Sequence, residues 1–131
     1  MRKTIAAPCR SFLNWTPFHR KGDVYVYDNK IVLNGCLLAE TYLDGSIQFY
    51  DNGSATPTAK EYINTILELA GHPFRLLPCI QRTRGYSVRW MVYSTIKRFP
   101  IMNFVGEIKT TRDGKCTTRH PTGPNYHFPG S

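Results

Sequence analysis

The segment from Thr56 to Pro73, TPTAKEYINTILELAGHP, constrains the fold more than any other part of the chain. Thr56 can cap a helix, Pro57 suits its first turn, and Gly71 suits the residue just past its end. Between these signals Ala59, Tyr62, Ile63, Ile66, Leu67 and Ala70 recur at i, i+3, i+4 and i+7 and make one apolar stripe. Lys60, Glu61, Asn64, Thr65 and Glu68 lie mainly on the other side. Such a helix, about residues 57–70, has to bury its stripe against something, and the flanking sequence offers only strands.

On the N-terminal side, DVYVYDNKIVLNG alternates strictly, with Val24 and Val26 on one face and Tyr25 and Tyr27 on the other. Asp28-Asn29 fits a two-residue turn into Ile31–Leu33. A further strand in CLLAETYL leads through an Asp44-Gly45 turn into a strand at Ile47–Tyr50. After the helix, strands are expected at Phe74–Ile80, at about Tyr86–Ile96 and at about Ile101–Lys109, with a last short hairpin turned at Asp113-Gly114. Pro78 removes a ladder donor and marks an edge or a bulge. The pattern predicts an α+β fold, a largely antiparallel β-sheet with one main α-helix packed on one face. A single domain over residues 1–131 is expected, with an irregular basic N-terminus over about residues 1–20. The Pro- and Gly-rich tail from about 119 is expected to be mobile or laid extended across a surface.

Composition removes several classes of function. No apolar run approaches the roughly 18 residues needed to span a bilayer. In MRKTIAAPCRS the apolar stretch is too short for an export signal, and Pro8 sits badly for cleavage, so a cytoplasmic protein is expected. Cys9, Cys36, Cys79 and Cys116 form no C-x-x-C pair and are expected as buried free thiols. Charge is informative when divided along the chain: residues 1–22 carry net +5, residues 23–71 net −5, and residues 72–131 net +8. One face or end of the fold is therefore expected to be strongly positive and to suit a polyanionic or acidic partner.

The stretch IQRTRGYSVRWMVY concentrates that charge. With Arg84-Gly85 as a turn, Arg82, Ser87, Arg89, Met91, Tyr93, Thr95 and Lys97 share one face, and Gln81, Val88, Trp90, Val92 and Ile96 share the core face. Tyr93 between Arg89 and Lys97 suits an unpaired base that stacks on the ring while its phosphates meet the cations. Arg84 at the tip can reach a backbone phosphate. Arg82, Arg84, Arg89, Tyr93 and Lys97 are thus the candidate site for nucleic acid or another partner. A solvated sheet face decorated with long cationic side chains is the bland alternative.

Other constellations are weaker. Ser54, Thr56 and Thr58 lie near free helix N–H groups, but plain capping accounts for them. Cys116, His120 and His127 fit no metal-site spacing, so no metal is expected. His19, Arg20, Lys21 and Asp23 place a base beside cations, the chemistry of phosphodiester cleavage. No P-loop, dinucleotide fingerprint, nucleophile elbow or H-E-x-x-H motif occurs, so neither a cofactor nor catalysis is expected.

The alternating VYVYDNKIVLNG, the apolar LLA, the turn and strand DGSIQFYDNG and the helix opening TPTAKEYINTIL together resemble a pattern in small, uncharacterised bacteriophage accessory proteins. The later QRTRGYSVRWMVY is similar to the Trp-bearing strand that tends to follow in them. Ala55, Ala59 and the Pro-rich tail depart from that pattern. The resemblance implies an accessory binder and transfers no catalytic residue. It sets an acidic host protein beside nucleic acid as the expected partner.

Overall fold

The computed structural model describes residues 3–20, 23–51, 56–78 and 90–119. The helix expected from Thr56 is α2, Pro57–Ala70. Thr56 Oγ1 accepts a hydrogen bond from the Ala59 amide at 3.1 Å, and Gly71 closes the helix in the left-handed conformation at φ 74°. The apolar stripe is buried as the spacing requires, with Tyr62, Ile63, Ile66 and Leu67 almost wholly removed from water. Each of these large side chains gains about 1.5–3 kcal/mol from that transfer.

A second helix, α1 (Lys3–Leu13), occupies the segment expected to be irregular. Ile5, Ala6, Cys9 and Phe12 form its buried face, a helical spacing that the proline at position 8 disguises. Pro8 has no N–H to give to the Thr4 carbonyl four residues back. Arg20 Nη1 donates to that carbonyl instead, at 3.0 Å. The helix therefore carries its proline because a side chain from the following strand satisfies the orphaned acceptor.

The strands divide into two antiparallel sheets rather than one. The larger contains β1 (Phe18–Arg20), β2 (Val24–Tyr27), β3 (Lys30–Leu33), β4 (Cys36–Thr41), β5 (Ile47–Tyr50), β9 (Glu107–Thr110) and β10 (Cys116–Arg119), paired in that order. The smaller pairs β6 (Phe74–Pro78), β7 (Trp90–Ser94) and β8 (Phe99–Asn103). The Asp28-Asn29 turn sets Tyr27 opposite Lys30, and Val24, Val26, Ile31 and Leu33 point inward. Gly45 at φ 88° turns β4 into β5, and Gly114 at φ 95° turns β9 into β10. The stretch expected as one strand at about 101–109 breaks at residues 104–106, where the chain leaves the smaller sheet and joins the larger. Pro78 ends β6, an edge strand.

Helix α1 packs on β1–β3 and against α2, which in turn packs on β6 and β4. One cluster of buried side chains joins all of these, from Ile5 and Phe12 through Phe49 and Ile66 to Leu76, Val92 and Ile108. The Cys9 thiol lies inside it, 3.7 Å from the Tyr62 carbonyl, and burial pushes its pKa up to about 12. Cys116 is part-buried with a thiol also pushed up to about 12, whereas Cys36 is exposed, against expectation; Cys79 lies outside the described residues. Among the described residues, no helix is long and apolar enough to cross a membrane.

Candidate nucleic-acid interface

The smaller sheet has two unlike faces. Phe74, Leu76, Trp90, Val92 and Ser94 point into the core, and Lys60 of α2 holds its ammonium 5.2 Å from the Trp90 ring centre. Arg75, Leu77, Met91 and Tyr93 point the other way and are half-buried or exposed. This is the alternation expected for residues 90–93. Tyr93 is thus on the outer face, and Arg75 stands directly across from it on β6. Met91 stands across from Leu77 and Asn103, so the tyrosine and arginine border an apolar pair, Met91 and Leu77.

Lys97 is placed differently from expectation. The strand stops at Ser94, and residues 95–98 form an exposed turn, so Lys97 does not share the strand face with Tyr93. The break has a local cause. Ser94 Oγ accepts the Lys97 amide at 3.1 Å, and the Ser94 carbonyl accepts the Arg98 amide at 2.8 Å. Arg98 takes a left-handed φ of 63° to re-enter β8. Lys97 and Arg98 therefore stand at the end of the sheet. Arg82, Arg84 and Arg89 lie outside the described residues.

The residue that sequence reasoning missed is Arg75. It sits 18 positions before Tyr93 in the chain, and only the strand pairing brings the two together. Its Nη1 donates to the Phe74 carbonyl at 2.6 Å, which folds the guanidinium along the strand. Among the described residues, ion pairs join Arg20 to Asp23, Lys30 to Glu40 and Lys115 to Asp113; Arg75, Lys97 and Arg98 enter none. Among the described residues, no ion pair joins Arg75, Lys97 or Arg98 to the acidic middle of the chain.

The outer face of the larger sheet is built otherwise. Tyr50 donates to Glu40 at 2.5 Å, Gln48 donates to Glu107 at 2.7 Å, and Lys30 approaches Glu40 at 3.9 Å. Burial first, then the hydrogen bond to Glu40, holds the Tyr50 phenol above its ordinary value. Lys109 there sits 4.9 Å from the Tyr42 ring centre. His19 stacks on Tyr25 with ring centres 4.5 Å apart. Arg20, expected as a phosphate-binding neighbour of His19, is held by the Thr4 carbonyl and by Asp23 at 3.3 Å. Lys21, Ser54, His120 and His127 lie outside the described residues, and no group of three potential metal ligands occurs among those described.

Compared with known proteins, the chain matches no family model, no curated protein and no solved structure.

Proposed function

We propose that the protein is a small, non-catalytic accessory binder of bacteriophage type, working in the cytoplasm of a host cell and gripping single-stranded nucleic acid on the outer face of its smaller sheet. One observation carries the reading: an outward tyrosine, Tyr93, with Arg75 directly across the strand pair and, among the described residues, no carboxylate in an ion pair with that arginine. A base stacks on the ring while cations meet the phosphates, a division of labour that tolerates any sequence. Lys97 and Arg98 extend the positive surface beyond the end of the sheet, and Arg82, Arg84 and Arg89 belong to the chain that joins β6 to β7.

A second reading has its own support. Ile96 and Phe99, 66% and 52% exposed, stand beside Lys97 and Arg98, and exposed apolar groups rimmed by cations also suit an acidic host protein.

A binding titration against labelled single strands and duplexes over a salt series separates the two. Arg75→Ala is expected to flatten the log–log salt slope by about 0.7 on single strands, one phosphate contact's share. Tyr93→Ala should weaken binding by about 1–3 kcal/mol with the slope unchanged, because stacking releases no counterion. An Arg82/Arg84/Arg89→Ala variant tests the remaining cations in the same way. If every variant binds like the parent, and none more tightly than an unrelated basic protein, the nucleic-acid reading fails and capture of an acidic partner becomes the question.

A further inference from the structure

A cleft of about 810 Å³ opens at the end of the fold where α1, α2 and two hairpin turns converge. That size lies within the usual range for sites that take small molecules. Three features of the chain build it. Helix α1 ends at Leu13, and Trp15 turns the chain at a left-handed φ of 58°, with its indole 44% exposed at the mouth. The β4–β5 turn projects Leu43 into solvent, 93% exposed, while the Asp44 carboxylate is occupied by the Ser46 amide at 3.0 Å and hydroxyl at 2.6 Å. The third wall is the β9–β10 turn, where Asp113 accepts from Thr111 and pairs with Lys115.

Within those walls one charge is uncommitted. Arg112 Nε donates to the Ala70 carbonyl at 3.3 Å, which satisfies an open acceptor in the last turn of α2. Its Nη groups make no hydrogen bond and no ion pair among the described residues. The neighbouring cations add to the field. Ile96 rests against Gly114, close enough that a Cβ there would lie 3.3 Å from its Cδ1, and this contact brings Lys97 and Arg98 to the end of the molecule that carries Arg112 and Lys115. Both wall carboxylates are held by their own turns, and the Arg112 guanidinium lines the same cleft as the apolar Trp15 and Leu43.

We propose that this cleft binds a small aromatic anion, its ring against Trp15 and Leu43 and its anionic group on the free Nη donors of Arg112. A guanidinium offers two parallel donors to a carboxylate or a phosphate, and an indole offers a stacking face. The site is built on Arg112 and Trp15 and needs neither Tyr93 nor Arg75, although Lys97 and Arg98 add charge to both surfaces. Two sources share this chemistry: a nucleoside monophosphate, free or at the end of a strand, and an aromatic carboxylate.

Calorimetry and amide shift mapping on the full chain test the site with four probes: adenosine monophosphate, 2-naphthoate, adenosine and inorganic phosphate. A probe carrying both ring and charge is expected to bind saturably, shifting the Trp15 indole N–H and the Gly45 and Ser46 amides. Adenosine and phosphate alone should each bind about tenfold more weakly or worse, since each forfeits one half of the contact. Arg112→Gln should cost about tenfold or more, and Arg112→Lys should fall between, because it keeps the charge and loses the fork. Trp15→Leu, which keeps apolar area without the indole, is the second variant, and thermal melts confirm that each one folds. Tyr93→Ala should leave this binding untouched, so failure here and failure at the sheet face are read separately. Preference for the nucleotide or for the naphthoate supports the site and identifies its source. Shifts clustered outside the cleft, or unchanged affinity in Arg112→Gln, would overturn the proposal.

Discussion

His72 shows how one side chain can tie distant turns together. Only 3% exposed, it places Nδ1 2.8 Å from Thr110 Oγ1 and Nε2 3.1 Å from the Gly45 carbonyl. A carbonyl only accepts, so Nε2 carries the proton and donates, and Nδ1 accepts from the threonine hydroxyl. Burial favours the neutral imidazole, the form in which Nδ1 accepts from that hydroxyl. Burial is the main cause of its lowered pKa, and the nearby Arg112 charge works the same way against the Gly45 hydrogen bond. Because the native value lies below the ordinary one near 6.5, the unfolded chain binds this proton first as pH falls. Stability from His72 is complete above about 6.5 and declines as pH drops towards the native value, by up to about 1.4 kcal/mol per pH unit. Urea midpoints at pH 7.5 and 5.5 should fall further for the parent than for His72→Gln. Parallel losses in the two proteins would assign the effect to another group. At neutral pH, His72→Ala should cost about 1–3 kcal/mol by stranding buried partners. None of this was legible locally, because in the sequence His72 stands between a helix-ending glycine and a proline. Its partners are 27 and 38 residues away.

At the scale of elements, the two helices differ in how openly the sequence declares them. Helix α2 has a cap, a leading proline, a stripe and a closing glycine, each a local signal with its own physical reason. Helix α1 has the stripe, Ile5, Cys9 and Phe12, but a proline in its middle reads as a stop. What overrides that stop is Arg20, which replaces the missing donor on Thr4 and braces the turn through Asp23. The contribution is testable as a double-mutant cycle. In Pro8→Ala the restored amide can serve the Thr4 carbonyl itself, so removal of Arg20 should then matter less. Arg20→Ala is expected to cost about 0.5–1.5 kcal/mol in the parent, and the coupling with Pro8→Ala should recover most of it. A coupling near zero would mean that Arg20 acts through Asp23 alone. The strand face was read in the same mixed way. The period of two correctly sent Trp90 and Val92 inward and Met91 and Tyr93 outward. The same period carried past Ser94 misplaced Lys97, because a single hydroxyl that turns the chain has no signature in hydrophobic alternation. Arg75 was overlooked because its place beside Tyr93 is fixed by pairing across strands.

Over the whole molecule, the stretch after Pro100 hides a crossing that helps make two sheets into one structure. IMNFVGEIK reads as a single strand, yet β8 ends at Asn103 and β9 begins at Glu107 in the other sheet. The crossing is held at both ends. The Phe104 amide donates to the Trp90 carbonyl at 2.9 Å, and the Gly106 carbonyl accepts from Asp51 at 2.7 Å, with Gly106 supplying a φ of 74°. Between these anchors Phe104 is 2% exposed and belongs to the same buried cluster as residues of both sheets and both helices. Charge segregation in the sequence announced a positive end but not this joint, since charge reports on surface and not on how a core is shared. A shared core has a thermodynamic consequence: neither sheet can lose its inner face without uncovering the other. Unfolding in urea should therefore be one transition, with far-ultraviolet dichroism and the fluorescence of Trp15 and Trp90 superimposing. Phe104→Ala should lower stability by about 3–5 kcal/mol. It should do so while both signals still move together, because it weakens the common core and not one layer of it. If the fluorescence transition separates from the dichroism in the parent, or only in Phe104→Ala, the smaller sheet has its own stability. The crossing at residues 104–106 would then be a tether between two units instead of part of a single core.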